Sequence, residues 1–273
     1  MSFMSQERSA LGAFLRSRRD RVTPAQAGIA PFPGPRRVPG LRREELAVAA
    51  GLSTDYYSRV EQGRQPNISD SVLAALGRVL RLDEVEAAHL RDLAISHSHS
   101  SRGKSARPQV PDPGLLRLAA NLDHVPVLLL GQRAEVLFHN ELLSKVLGRD
   151  FTTGVSIVEY LFDDPLAKER FVDWPLFASR AVAGMRREAA RRPHDTLLIE
   201  GIANLRRTNP DIERWWHDHA VHDYAPTQQT IAHPGGQLQF ALQSVAAHTE
   251  PDQHLVVYTV EIDSPTARLL ATL

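Results

Sequence analysis

The 273-residue chain predicts two domains of different class. An all-α N-terminal domain of five helices spans residues 1–95, a linker spans 96–114, and an α+β domain with a five-stranded antiparallel sheet spans 115–273. Three observations predict this. Apolar residues at helical spacing fill the first third of the chain. The polar stretch SHSHSSRGKSARPQVPDPG, rich in Ser and Pro, then interrupts all periodicity, as a linker does. Beyond it strand-like runs, helical patterns and again strand-like runs follow in order, which implies α+β.

Residues 6–21 make an amphipathic helix with Leu11, Phe14 and Leu15 on its core face and Arg16, Arg18, Arg19 and Arg21 at its end. Residues 22–39 form a proline-rich loop whose tip, GPRRVPG, carries Arg36 and Arg37. That tip lies along a phosphate backbone, dips into a minor groove, or is an ordinary solvated loop. GLRREELAVAAGLSTDYYSRVEQG follows, from Gly40 to Gly63, and reads as two short helices joined at Gly51. Leu46, Ala47 and Ala50 give the first a small apolar face, suited to close helix crossing. Gly51 supplies the turn, Leu52 plugs the space between the helices, and Ser53 is an N-cap. Tyr57 and Val60 complete the buried stripe of the second helix, and Gly63 ends it. Thr54, Asp55, Tyr56, Ser58 and Arg59 are left facing outward. Two helices in this arrangement, the second with polar and cationic groups outward, are the layout of a helix-turn-helix that reads a DNA major groove. The alternative is a plain surface αα-hairpin. Helical patterns at 69–80 and 84–94 complete five helices.

In the second domain, 115–122 is helical, 125–130 and 135–139 are strands, and Asn140 opens a helix to Leu147. Residues 156–162, 165–192, 195–207 and 211–219 are helical, and strands at 227–233, 237–246 and 255–261 close the chain. Helices are expected over one face of the sheet.

Chemistry-bearing patterns are sparse. There is no Cys, so disulfides and thiol catalysis are excluded, and a cytoplasmic location fits. No phosphate-loop, dinucleotide or nucleophile-elbow pattern occurs. No run reaches membrane-span length, and the N-terminus lacks an apolar signal segment. The densest candidate site is Trp215, Trp216, His217, Asp218, His219, His222 and Asp223. His217 and His219 are two apart and diverge on a helix, whereas His219 and His222 converge. A structural or ligand-contact role is expected over a metal site; His97 and His99 are read as linker. The net charge is zero but unevenly spread. Residues 1–114 hold 17 basic and 12 acidic residues, and the remainder 15 and 20, as for a DNA-contacting module tied to one that makes no such contact.

The run from LGAFLRSRRDRVTP through GPRRVPGLRREELAVAAGLSTDYYSRVEQGRQPNISDSVLAALGRVLRLD resembles the N-terminal domain of Xre-type regulators, specifically the MmyB-like group. PVLLLGQRAEVLFHNELLSKVLG, VDWPLFASRAVAGMRREAARRPHD, RWWHDHAV, AHPGGQLQFALQSV and HLVVYTVEIDSP resemble its C-terminal, PAS-like ligand-binding domain. One departure stands out: the family's Trp-Asn after the second strand is His139-Asn140 here. The resemblance implies a bacterial, sequence-specific transcription regulator rather than an enzyme, with a double-stranded DNA operator and a small, fatty-acid-like ligand as partners. A homodimer is expected, because operators present two-fold half-sites. The expected DNA contacts are Arg36, Arg37, Arg42, Arg43, Ser53, Thr54, Asp55, Tyr56, Ser58, Arg59 and Arg64. Thr54, Asp55 and Arg59 are the base readers among them, Arg43 is a phosphate contact, and Glu61 is a tether for the helix end. The resemblance points to Trp215 or Trp216 with His219, and to His233, at the ligand site; residue type adds Asn140, with helix capping the alternative, and Trp174 of the aromatic helical layer, with core packing the alternative. No cofactor or metal is expected. The competing readings are a metal-dependent enzyme, which rests on the His cluster, and a protein-partner module.

Overall fold

A computed structural model of the chain describes residues 2–34, 38–65, 67–98, 109–221, 228–248, 250 and 252–273. In chain order the first helices are α1 (Ser2–Arg19), α2 (Arg43–Ala49), α3 (Thr54–Glu61), α4 (Asp70–Val79), α5 (Glu84–Ser98) and α6 (Pro113–Ala120). Strands β1 (Val127–Leu130) and β2 (Val136–His139) precede α7 (Glu141–Leu147), α8 (Ile157–Asp163), α9 (Pro165–Arg170) and α10 (Trp174–Arg191). Then come α11 (Thr196–Thr208), α12 (Pro210–His217), β3 (Gln228–His233), β4 (Gly236–Ala246), β5 (His254–Thr259) and α13 (Pro265–Leu270).

The chain divides into two compact units, Met1–Ser105 with Ala183–His222, and Ala106–Val182 with Asp223–Leu273. In the first unit, Leu11, Phe14 and Leu15 of α1 form one core with Leu46, Ala47, Tyr57, Val60, Leu76 and Leu90. Local chemistry sets the ends of α3. The Ser53 hydroxyl accepts the Tyr56 N–H at 3.1 Å. Gly51 and Gly63 take φ of +69° and +64°, a region that only glycine enters cheaply. Their turns are closed by Leu52 N–H to the Ala47 carbonyl and Arg64 N–H to the Arg59 carbonyl, at 2.9 and 2.8 Å. Helix α1 approaches α3 so closely that a Cβ on Gly12 would lie 2.0 Å from the Glu61 carbonyl oxygen.

Residues 183–222 cluster with the N-terminal helices, a grouping that sequence position does not suggest. Ala190 and Val221 join the same core. Arg18 of α1 and Arg21, two residues beyond its end, donate to the carbonyls of His219 and Asp218, both at 2.7 Å. Arg186, 7% exposed, donates to the Ala220 carbonyl at 2.6 Å and to those of Trp215 and Trp216, and so caps the C-terminal end of α12.

The second unit holds a five-stranded sheet, antiparallel throughout, in the order β2-β1-β5-β4-β3. Leu115 and Ala119 of α6 pack with Val127, Leu129, Leu137, Leu255 and Val257 on one face. Alternation turns Leu128, Val256 and Tyr258 to the other face, where Tyr258 meets Phe240 edge to face at 5.4 Å. Helices α7 and α9 lie against β3. Helices thus cover both faces, not one as expected. The helix expected over 165–192 is two, because the chain bends at 171–173 to bond the sheet. Phe171 bridges Ile231, and the Val172 N–H donates to the Thr230 carbonyl at 3.2 Å. Helix α13 was not expected, although Ser264-Pro265, a cap followed by proline at the first helical position, announces it.

Candidate nucleic-acid interface

The outer face of α3 carries Thr54, Asp55 and Arg59, all exposed, with Ser58 half-buried. The Arg59 guanidinium stands 3.6 Å from the Asp55 carboxylate, one helical turn away. Arg64 is exposed just beyond the Gly63 turn. One position differs from expectation: Tyr56 is half-buried against the core, whereas the Ser53 hydroxyl is engaged as the expected cap.

Next to α3, the end of α1, the proline-rich loop and the start of α2 enclose a groove of about 700 Å³. Arg16, Arg19, Arg42 and Arg43 line it. One buried carboxylate organises three of these. Glu61, at the C-terminal end of α3, is 3% exposed and lies 2.9 Å from Arg43, 3.4 Å from Arg19 and 3.6 Å from Arg16. Burial pushes its pKa up, but the Tyr57 hydroxyl and the Arg43 and Arg19 guanidinium groups outweigh burial and hold it below the ordinary value. Three cations around one anion leave the groove positive, and Arg16 and Arg43 remain about half exposed. Arg42 is spent differently: its guanidinium donates to the Pro33 and Gly34 carbonyls at 3.0 and 2.9 Å and fastens the loop. Glu45, fully buried, accepts the Arg42 N–H at 2.7 Å and the Phe32 N–H at 3.0 Å. Arg36 and Arg37 lie outside the described residues.

The five expected ligand residues do not share a unit. Trp215 and His219 belong to the helix-turn-helix unit, and Asn140, Trp174 and His233 to the sheet unit. The Asn140 side chain is saturated. Its oxygen accepts from Leu143 and Val127 N–H groups, both at 3.1 Å, and its nitrogen donates to the Leu122 and Val125 carbonyls at 3.2 and 2.7 Å. It caps α7 and ties that cap to β1, with no polar atom left for a ligand. His139 is engaged too, through the Phe151 carbonyl at 3.0 Å and the Ser144 hydroxyl at 3.1 Å. The buried Trp174 indole donates to the Leu161 carbonyl at 2.9 Å. His233 accepts the Gly235 N–H at 3.1 Å in the β3–β4 turn, and burial followed by the Arg170 charge lowers its pKa. Arg214 stands 5.3 Å from the Trp215 ring, while Trp216 sits between Arg186 and Arg206 at 4.7 and 5.0 Å. His219 takes a left-handed φ of +50°, and burial, with Arg186 and Arg18 nearby, pulls its pKa down to about 4. His222 and Asp223 lie outside the described residues, as does His99. Among the described residues, no three His, Cys, Asp or Glu side chains are grouped to hold a metal ion.

Residues 10–90 match the family model of a helix-turn-helix domain. Residues 111–273, more than half of the chain, match that of the MmyB-like transcription regulator ligand binding domain. The chain belongs to the MmyB-like transcription regulators. A helix-turn-helix DNA-binding domain joined to a ligand-binding domain makes it a ligand-sensing transcription regulator. No curated protein matches the chain. Among the described residues, no helix is long and apolar enough to cross a membrane. In this MmyB-like regulator the ligand-binding match includes 183–222, the segment that packs into the helix-turn-helix unit.

Sequence reasoning missed the groove's dependence on Arg16 and Arg19, and the role of Arg186. The available signals were Gly12 inside a helix and a buried-face arginine in α10.

Proposed function

We propose that this MmyB-like regulator binds a double-stranded operator as a homodimer and changes its DNA affinity when a small apolar, fatty-acid-like ligand occupies the sheet unit. Thr54, Asp55 and Arg59 read base edges, with Arg59 bidentate to a guanine and Asp55 holding it. Ser58 and Arg64 contact the backbone beside them. Arg43 and Arg16 hold phosphates from the groove, and Arg36 and Arg37 are further phosphate contacts. The observation that carries this reading is the exposed polar face of α3 set beside a groove lined by four arginines. The apolar face around Phe240 and Tyr258, buried under the helices, suits an apolar ligand. A ligand changes DNA affinity only through unequal affinity for two arrangements of the protein. Residues 183–222 supply a route, because they lie within the ligand-binding match and are bonded to α1 by Arg18 and Arg21.

The test starts from an operator selected in vitro from random DNA, titrated with wild type and two variants. Arg59→Ala is expected to cost about 1–3 kcal/mol on the selected site and to relax one base position. Arg43→Ala is expected to weaken all DNA alike and to flatten the salt dependence. Failure to enrich any sequence, or an Arg59→Ala loss that is equal on all DNA, overturns the assignment. Oleate added to the wild-type complex is expected to shift the operator affinity; an unchanged affinity removes the fatty-acid part.

A further inference from the structure

The edge strand β3 and the first turns of α10 enclose a cleft of about 240 Å³ in the sheet unit, lined by Phe171, Asp173, Phe177, Arg180, Gln229 and Thr230. Gln229 is unusual in it. The side chain is 8% exposed, and neither its oxygen nor its nitrogen has a hydrogen-bond partner among the described residues. It pairs in register with Phe240, and the next residue on its face, Ile231, is fully buried. A primary amide thus stands unpartnered between the apolar Phe240 and Ile231 of its sheet face and the mixed lining of the cleft, and such a group calls for a partner. Two aromatic rings line the cleft beside it. The Phe171 and Phe177 rings stack 4.7 Å apart and 8° from parallel. The bend between α9 and α10 fixes that wall to the strand, through the Phe171–Ile231 bridge and the Val172 N–H bond to Thr230. Arg180 at the rim forms no ion pair among the described residues, and Asp173 is exposed.

We propose that this cleft binds a small planar molecule of single-ring size whose edge presents one hydrogen-bond donor beside one acceptor, as in an aromatic carboxamide or a lactam. Glutamine offers the reciprocal pair, an acceptor oxygen and a donor nitrogen on one planar group. A flat ring extends the phenylalanine stack in the offset geometry that aromatic groups favour. The volume falls below the roughly 300–1,000 Å³ of sites for drug-sized ligands, which matches a single ring. Arg180 and Asp173 offer one cation and one anion to ring substituents. This ligand class is distinct from the apolar ligand proposed above, and the site does not depend on operator binding.

The test is calorimetric titration of the full chain with benzamide, and with toluene, which keeps the ring and lacks the amide. Benzamide is expected to bind saturably, with toluene at least tenfold weaker. Gln229→Met, which keeps length and removes both polar atoms, is expected to weaken benzamide at least tenfold and to leave toluene unchanged. Absence of benzamide binding, equal binding of both probes by wild type, or unchanged benzamide binding by the variant overturns the site. If circular dichroism shows the variant unfolded, the wild-type comparison of the two probes decides. Each of these failures leaves the regulator reading standing, since that is decided by selection of an operator.

Discussion

Glu61→Ala tests the electrostatic centre of the DNA-binding unit. The carboxylate is 3% exposed and serves three arginines, of which Arg19 is itself 4% exposed while Arg16 and Arg43 reach solvent. Removing one partner of a buried ion pair costs about 3–5 kcal/mol, because the other charge is left desolvated. The pairs to Arg16 and Arg43 are half in water and add only about 0–1 kcal/mol each. Arg19 keeps the Leu41 carbonyl at 2.6 Å and Asp20 at 3.4 Å, which places the expected loss at the lower end, about 3 kcal/mol. Against the roughly 5–15 kcal/mol of a typical fold, that is a severe change. Urea denaturation of the full chain, followed by circular dichroism, measures it, with Arg16→Ala as the comparison at below about 1 kcal/mol. A Glu61→Ala loss under about 1 kcal/mol, or an equal loss for Arg16→Ala, would show that the buried cluster is not what holds α3 to α1.

Three other outcomes follow from the same unit. His89 is 1% exposed, edge-on to Phe14, and its pKa falls from 6.5 to about 3, through burial first and then the charges of Arg186, Arg18, Arg187 and His219. Between those values the unfolded chain takes up a proton that the fold refuses, so stability falls as pH drops below 6.5, by up to about 1.4 kcal/mol per pH unit. Denaturation at pH 7 and pH 5 is expected to differ by about 2 kcal/mol more in wild type than in His89→Phe; equal differences would mean that His89 does not titrate with folding. Gly12→Ala sets a Cβ 2.0 Å from the Glu61 carbonyl oxygen and is expected to destabilise by about 1–3 kcal/mol, despite alanine's better helix propensity. Gly77→Ala meets only Leu82 at 4.0 Å and is expected to stabilise by up to about 1 kcal/mol; melting temperatures that shift in the same direction would refute the close crossing.

Much of the local structure was legible because its signals are local. Ser53 and Ser69 cap their helices as short polar side chains at a helix start do, and Gly51 and Gly63 take the positive φ that their turns require. The helix-turn-helix and the sheet strands followed from periodicity within a few residues. The ligand residues were less legible. Asn140 and Trp174 were singled out by residue type, but their polar atoms are satisfied by carbonyls and N–H groups that sequence distance hides, such as Leu122 for Asn140 and Leu161 for Trp174. Gln229 went unnoticed because an isolated glutamine in a strand pattern gives no sign that its amide is buried without a partner.

The amino-acid sequence by itself determined the two fold classes, the helix-turn-helix with its outward polar face, and the family, because caps, glycine turns and apolar periods act between near neighbours in the chain. Only the tertiary structure decided that residues 183–222 pack with the N-terminal helices, that Glu61 gathers Arg16, Arg19 and Arg43, and that Phe171 and Phe177 stack beside a bare Gln229. Those outcomes depend on which carbonyls and carboxylates reach a given arginine or amide across long chain separations, about 200 residues between Arg18 and His219. Burial of that kind is a property of packing, which no local pattern encodes.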